Sequence, residues 1–143
     1  MRHLFTILTL SFTLTVFTQN NAKKEKIDAL EIAYITEHLD FTKKEAQDFW
    51  PIYNIFEDTE DELRNKIRAK KRETNLQSLT ETEAKKLLTE FNNLEKQMFE
   101  LHYNYDKDLL KILPAKKILL LKKTEEDFRR KIFEEYKKHR NPK

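Results

Sequence analysis

The chain contains no glycine. Glycine takes positive φ without steric penalty, so tight β-hairpins, bulges and backbone-lined phosphate loops lean on it. Helices joined by capped turns do not need it, and a β-rich chain of 143 residues rarely does without it. Charged residues make up 37% of the sequence and hydrophobic ones 38%. Such a balance also occurs in disordered segments, but here the apolar positions recur at three- and four-residue steps and the charges are mixed in sign, which is the pattern of long amphipathic helices. The expected fold is all-α: an extended hairpin of about four helices, kinked at Pro51 and broken before Pro114, in one domain that buries roughly two-thirds of its unfolded surface.

Met1-Arg2-His3 followed by the mostly apolar Leu4 to Phe17 reads as a signal peptide. Its apolar core of about 14 residues is too short to cross a bilayer upright. We take residues 1–22 as signal and short polar start, with cleavage near 18–22, and residues 23–143 as a single helical domain. The expected location is the periplasm, with no stable membrane insertion after cleavage. No cysteine is present, which excludes a lipid anchor on cysteine, a disulfide framework and thiolate chemistry. Removing residues 1–22 takes away only Arg2 among the charged groups, so the formal net charge falls from +3 to +2. That is too balanced to argue for a nucleic-acid partner.

Beyond a polar tether at Asn20 to Lys26, a first helix opens at Ile27 and ends near Leu39, with Ile27, Leu30, Ala33, Tyr34 and Ile35 on a broad apolar side. The stretch from Phe41 to Tyr53 is the structural corner. Thr42 and Glu45 form a capping box, in which the Thr hydroxyl accepts from the amide three residues on and the Glu carboxylate returns to the Thr amide. Phe41 is placed to staple over Ala46. Gln47, Trp50 and Pro51 belong to the same corner, and Pro51, which lacks an amide donor, predicts a kink or short break at Trp50.

Tyr53, Phe56, Leu63 and Ile67 continue the inward face, while acids from Glu57 to Glu62 precede a basic run from Arg64 to Arg72 and predict ion pairs such as Glu60 with Arg64. Glu73 to Leu79 reads as a loop. Thr80 and Glu83 form a second capping box behind Leu79. Ala84, Leu87, Phe91, Leu94, Met98, Leu101 and Tyr105 then mark a seam along a helix of roughly 30 residues, or about 45 Å. Ile112-Leu113 breaks it, and Pro114 suits the first position of a fourth helix. Within that helix Ile118-Leu119-Leu120-Leu121 covers the cylinder all round, so Leu119 and Leu120 are candidate contacts of a homodimer. The tail from Lys137 is expected to fray.

Enzymatic constellations are scarce: no glycine-lined phosphate loop, no nucleophile elbow, no thiolate, and Ser78 as the one serine beyond the signal. The chain is expected not to be an enzyme and to need no cofactor. Met98, His102 and Asp106 fall along one helix side and are the weak metal candidates, with no two-His spacing on one helix to support them. Arg64, Ile67, Arg68, Lys70, Lys71 and Arg72 are the candidate binding residues for unfolded, acidic segments of other proteins.

Two elements carry a resemblance. Phe41-Thr42-Lys43-Lys44-Glu45 and Leu79-Thr80-Glu81-Thr82-Glu83 resemble the LTxxQ element of the Spy/CpxP family of small periplasmic helical proteins, with Glu where that family has Gln. Together with Ala46 to Tyr53, Ile112-Leu113-Pro114 and Glu125 to Arg130, the pattern is similar to a Bacteroidetes branch often labelled sensor of ECF-type sigma factors. Where another LTxxQ is expected before the last helix, the chain reads Leu113-Pro114-Ala115-Lys116-Lys117, and the His-rich ligands of metal-responsive relatives have no clear counterpart. The resemblance implies a dimeric helical cradle in the envelope stress response. It further implies ATP-independent holding of unfolded envelope proteins or a regulatory partner, or, as the alternative, a metal-responsive sensor in an ECF-type sigma factor system.

Overall fold

The computed structural model describes the backbone of residues 14–140 and the side chains of residues 22–140. Four helices follow one another: α1 (Leu14–Leu39), α2 (Lys43–Glu73), α3 (Glu81–Leu109) and α4 (Ala115–Arg140), with one 3-10 turn, Leu76–Ser78, between α2 and α3. No strand occurs among the described residues, and no helix among them is long and apolar enough to cross a membrane. The signal-peptide reading lies, for its first thirteen positions, outside the described residues. Two compact units divide the chain: Phe41–Leu119, and the residues up to Asp40 together with those from Leu120 onward.

The unit Phe41–Leu119 is built on the hairpin of α2 and α3. The partners run in opposite directions: Phe56 stacks on Tyr105, Glu60 meets His102, and Lys70 meets Glu90. Both helices begin on complete capping boxes. At α2, Glu45 N donates to Thr42 Oγ1 (3.2 Å) and Thr42 N donates to Glu45 Oε2 (2.8 Å). At α3, Glu83 N donates to Thr80 Oγ1 (3.3 Å) and Thr80 N donates to Glu83 Oε2 (2.8 Å).

Pro51 does not break α2, which runs unbroken through Trp50 and beyond. The proline ring leaves the Gln47 carbonyl without its helical donor. Pro51 and Gln47 are both exposed, so water is at hand for that carbonyl. Phe41, expected to staple over Ala46, lies against two rings, 4.7 Å from Phe49 and 6.4 Å from Trp50 between centroids. Phe49 in turn touches Trp50 and Tyr53. This aromatic group sits at the fully buried end of the unit, with Phe49, Tyr53, Leu109, Leu113 and Ile118 out of solvent.

The turn from α3 to α4 is made without glycine or positive φ. Leu110 N donates to Asp106 O, Lys111 N to Asp108 O, and Ile112 N and Leu113 N both donate to Leu109 O. Pro114 stands one residue before α4, its carbonyl accepting from Lys117 N and Ile118 N, which is the role of a helix cap. Lys117 then reaches back to the first corner, with Nζ 3.0 and 2.9 Å from the two Glu45 carboxylate oxygens and 5.6 Å from the Phe41 ring centre. One carboxylate thereby closes the cap of α2 and holds the first turn of α4.

In the other unit α1 and α4 run antiparallel, with Tyr34 beside Phe128 and Lys23 above Tyr136. Ile35, Leu39, Leu121 and Phe128 are buried there, as is Thr124, whose hydroxyl donates to Leu120 O (2.9 Å). Residues 20–26, expected as a tether, are helical and belong to α1. Neither glycine nor proline interrupts that stretch, and its lysines and glutamate are good helix formers. Asp40 ends the run at φ 44°, in the left-handed region that Asp tolerates better than most side chains. The tail expected to fray from Lys137 is likewise helical as far as Arg140.

Thr42→Ala is expected to lower the stability of the chain by about 1 kcal/mol in urea unfolding, the usual loss of a helix cap. The Glu45 carboxyl is held below its ordinary value of 4.5, first by Lys117 and then by the Thr42 amide, and Glu83 is lowered by the Thr80 amide. Carboxylates depressed by folding favour the folded state above 4.5 and lose that contribution as pH falls through their folded values. The urea midpoint should therefore drop as pH is taken below 4.5, and Glu45→Gln should flatten that dependence more than Glu83→Gln.

Candidate functional site

The hairpin of α2 and α3 carries the candidate site, because its two ends are buried to different degrees. The seam that the sequence marks on α3 is only half-buried from Ala84 to Leu101, and becomes buried at Tyr105 and Leu109. On α2 the stripe Phe49, Tyr53, Phe56, Glu60 and Leu63 is buried, while Ile67 is half-exposed. Toward the tip the two helices cover only each other, so apolar surface stays in water.

At the tip, α2 ends on Thr74, whose hydroxyl donates to Lys70 O (2.6 Å), and Asn75 Oδ1 accepts from Gln77 N (3.1 Å) to start the 3-10 turn. This turn holds Leu76 out at 77% exposure. Beside it lies a groove of about 310 Å³ lined by Lys71, Thr74, Leu76, Leu87 and Phe91. Farther along α3, Leu88, Phe99 and Tyr103 are exposed, with Phe99 at 70%. At 100° per residue these three fall within about 60° of one another, on a second stripe beside the buried seam. The rings of Phe99 and Tyr103 lie parallel at 6.3 Å.

The basic run divides. Arg64 Nη2 donates to Glu60 Oε1 (2.8 Å), which raises the Arg64 pKa and fixes its charge, and Lys70 is paired with Glu90, whose carboxyl it lowers. Arg68 contacts Asn65, and Arg72 lies 4.0 Å from Glu73. Lys71 and Arg72 are exposed at the groove end of the helix, as is Arg68 one turn earlier. Of the six candidate binding residues, Arg64 and Lys70 are thus tied into the hairpin, Ile67 is part of its seam, and Arg68, Lys71 and Arg72 project into water.

The ion pair of Glu60 with Arg64 expected from the sequence is present; what that reading lacked is the burial of Glu60 at the seam, where Oε1 also accepts from His102 Nε2 (2.9 Å). The signal was its spacing: four residues after Phe56 and three before Leu63, on the buried stripe. His102 leans edge-on against Phe56 at 5.0 Å. Its ring is thus held by a carboxylate at Nε2 and by an aromatic neighbour. Among the described residues no group of three His, Cys, Asp or Glu is arranged to hold a metal ion.

Leu119 and Leu120 are exposed at 67% and 42%, whereas Ile118 and Leu121 are buried. The four-residue aliphatic run is thus split by the helix, two side chains in and two out, and the two candidate dimer contacts are accessible.

Glu60→Ala removes the acceptor shared by Arg64 and His102. Since Arg64 and His102 are 50% and 44% exposed and partly served by water, the loss should be about 1–2 kcal/mol rather than that of a fully buried pair, measured by urea unfolding.

Set against known proteins, the chain matches no family model, no curated protein and no solved structure.

Proposed function

We propose that this is an exported, non-enzymatic holding protein of the Spy/CpxP type that acts in the periplasm without nucleotide. In this reading it binds exposed segments of unfolded envelope proteins, or of a regulatory partner, at the tip of the α2 and α3 hairpin. The observation that carries the reading is the pairing of unburied apolar surface with exposed cations: the groove of Leu76, Leu87 and Phe91, with Lys71 on its rim and Arg68 and Arg72 exposed nearby.

An unfolded segment offers apolar side chains in no fixed order, so a shallow, open groove suits it better than a shaped pocket. Basic residues at the rim steer acidic segments toward it and act at long range. The stripe of Leu88, Phe99 and Tyr103 extends the same apolar surface along α3. Leu119 and Leu120 provide the contact through which two copies pair.

The test is light scattering from a reduced, aggregating client in the absence of ATP. The full chain is expected to suppress scattering at a few-fold molar excess. Leu76→Ser with Leu88→Ser should weaken suppression with helicity unchanged, because neither side chain is buried. No suppression by the wild-type chain at several-fold excess would overturn the reading.

A further inference from the structure

The last three turns of α4 carry a second surface that the holding reading does not use. Ile132, Phe133 and Tyr136 share one side of the helix with Arg129, Lys137 and Arg140, all six falling within about 140° at 100° per residue. Glu134 and Glu135 fall outside that arc. Phe133 is 58% exposed and Tyr136 53%. Each ring lies under an ammonium group: Lys137 Nζ is 4.6 Å from the centre of Phe133, and Lys23 Nζ of α1 is 4.9 Å from the centre of Tyr136. Between α1 and α4 the same surface opens into a cleft of about 330 Å³ floored by Ile27, Phe128 and Ile132, with Glu31 as its one carboxylate.

Four cations against a single carboxylate select an anionic occupant. Rings and aliphatic stems at the same level require that this occupant also offer apolar depth beneath its charge. A phosphate or acidic side chain alone meets the first condition and leaves Phe133 in water. A bilayer of anionic phospholipid meets both: headgroups pair with the Lys and Arg tips while Phe133, Ile132 and the body of Tyr136 enter the boundary below them. We propose that this end of α1 and α4 lies on an anionic phospholipid surface as a peripheral contact. It does so independently of client holding, since none of its residues lies on α2 or α3.

The experiment is co-sedimentation of the signal-cleaved chain with vesicles of phosphatidylcholine, with and without about 30% phosphatidylglycerol. Binding to the anionic vesicles should be about tenfold tighter or more, and the advantage should shrink on raising the salt. Lys137→Glu with Arg140→Glu should abolish the advantage. Lys131→Glu with Lys138→Glu, which makes the same change in net charge off the arc, should retain most of it. Phe133→Ser with Tyr136→Ser should weaken binding with the charge intact, and circular dichroism should show all three pairs equally helical. Equal losses from the two charge pairs, or no difference between vesicle types, would overturn the proposal. So would indifference to vesicles combined with lost client holding in the arc variants, which would assign the surface to protein partners.

Discussion

With no bare Cα to turn on, the turns after α2 and α3 are made by side chains and consecutive short-range hydrogen bonds, and the one after α1 passes through Asp40 at positive φ. The most connected of these devices is the Glu45 carboxylate. It accepts from the Thr42 amide, so α2 begins where it does, and it accepts from Lys117, so the start of α4 is held beside that beginning. Lys117 also covers Phe41, whose ring lies against Phe49 and Trp50. The polar clasp and the aromatic group are therefore one assembly. Losing the carboxylate frees an amide, an ammonium and the lid of the aromatic cluster together, whereas Glu83 at the second box serves its own helix alone.

That assembly explains the gradient of burial along the hairpin. Near the corner three pieces of chain converge, the first turns of α2, the last turns of α3 and the start of α4, and Phe49, Leu109, Leu113 and Ile118 are enclosed. Two helices alone cannot enclose a stripe as wide as the one on α3, so its side chains toward the tip are half-buried. The apolar surface left in water there is a consequence of helix count. A third element covers one end and nothing in the unit covers the other.

Much of this was legible in the residues. The capping boxes at Thr42 and Thr80, the loop after Glu73 and the break before Pro114 were all readable, because each is a local signature whose physics is complete within four or five residues. What the sequence misplaced depended on neighbours far along the chain or on solvent. Pro51 signalled a kink or a short break because its missing donor is a local fact; the helix runs on through it, and the exposure of Gln47 that makes this tolerable is set by which way α2 faces. Residues 20–26 looked like a tether for their polarity, though polarity marks exposure and not loss of helix. The exposure of Phe99 and Tyr103 is not legible in the sequence, since a second apolar stripe on one helix is recognised only once the first has found its partner. The pairing of Glu60 with Arg64 was legible, whereas its burial was masked by its charge despite its position on the stripe.

The fate of the basic run shows why counting charges along a helix overstates what it offers to others. Lys70 reaches across to Glu90 on α3 and Arg64 pairs with the buried Glu60 on its own helix, so both charges are spent within the hairpin. Lys66 pairs with Glu62 on its own helix, and Arg68 and Arg72, whose contacts stay on α2, cluster with Lys71 toward the tip and beside the groove. A charge near apolar surface works at two ranges, drawing an acidic segment in from beyond contact and then lying along it with an aliphatic stem. Gathering exposed cations where apolar surface is also exposed puts both ranges at one place. The pairing of Arg64, Lys66 and Lys70 with Glu60, Glu62 and Glu90 is what leaves them gathered there.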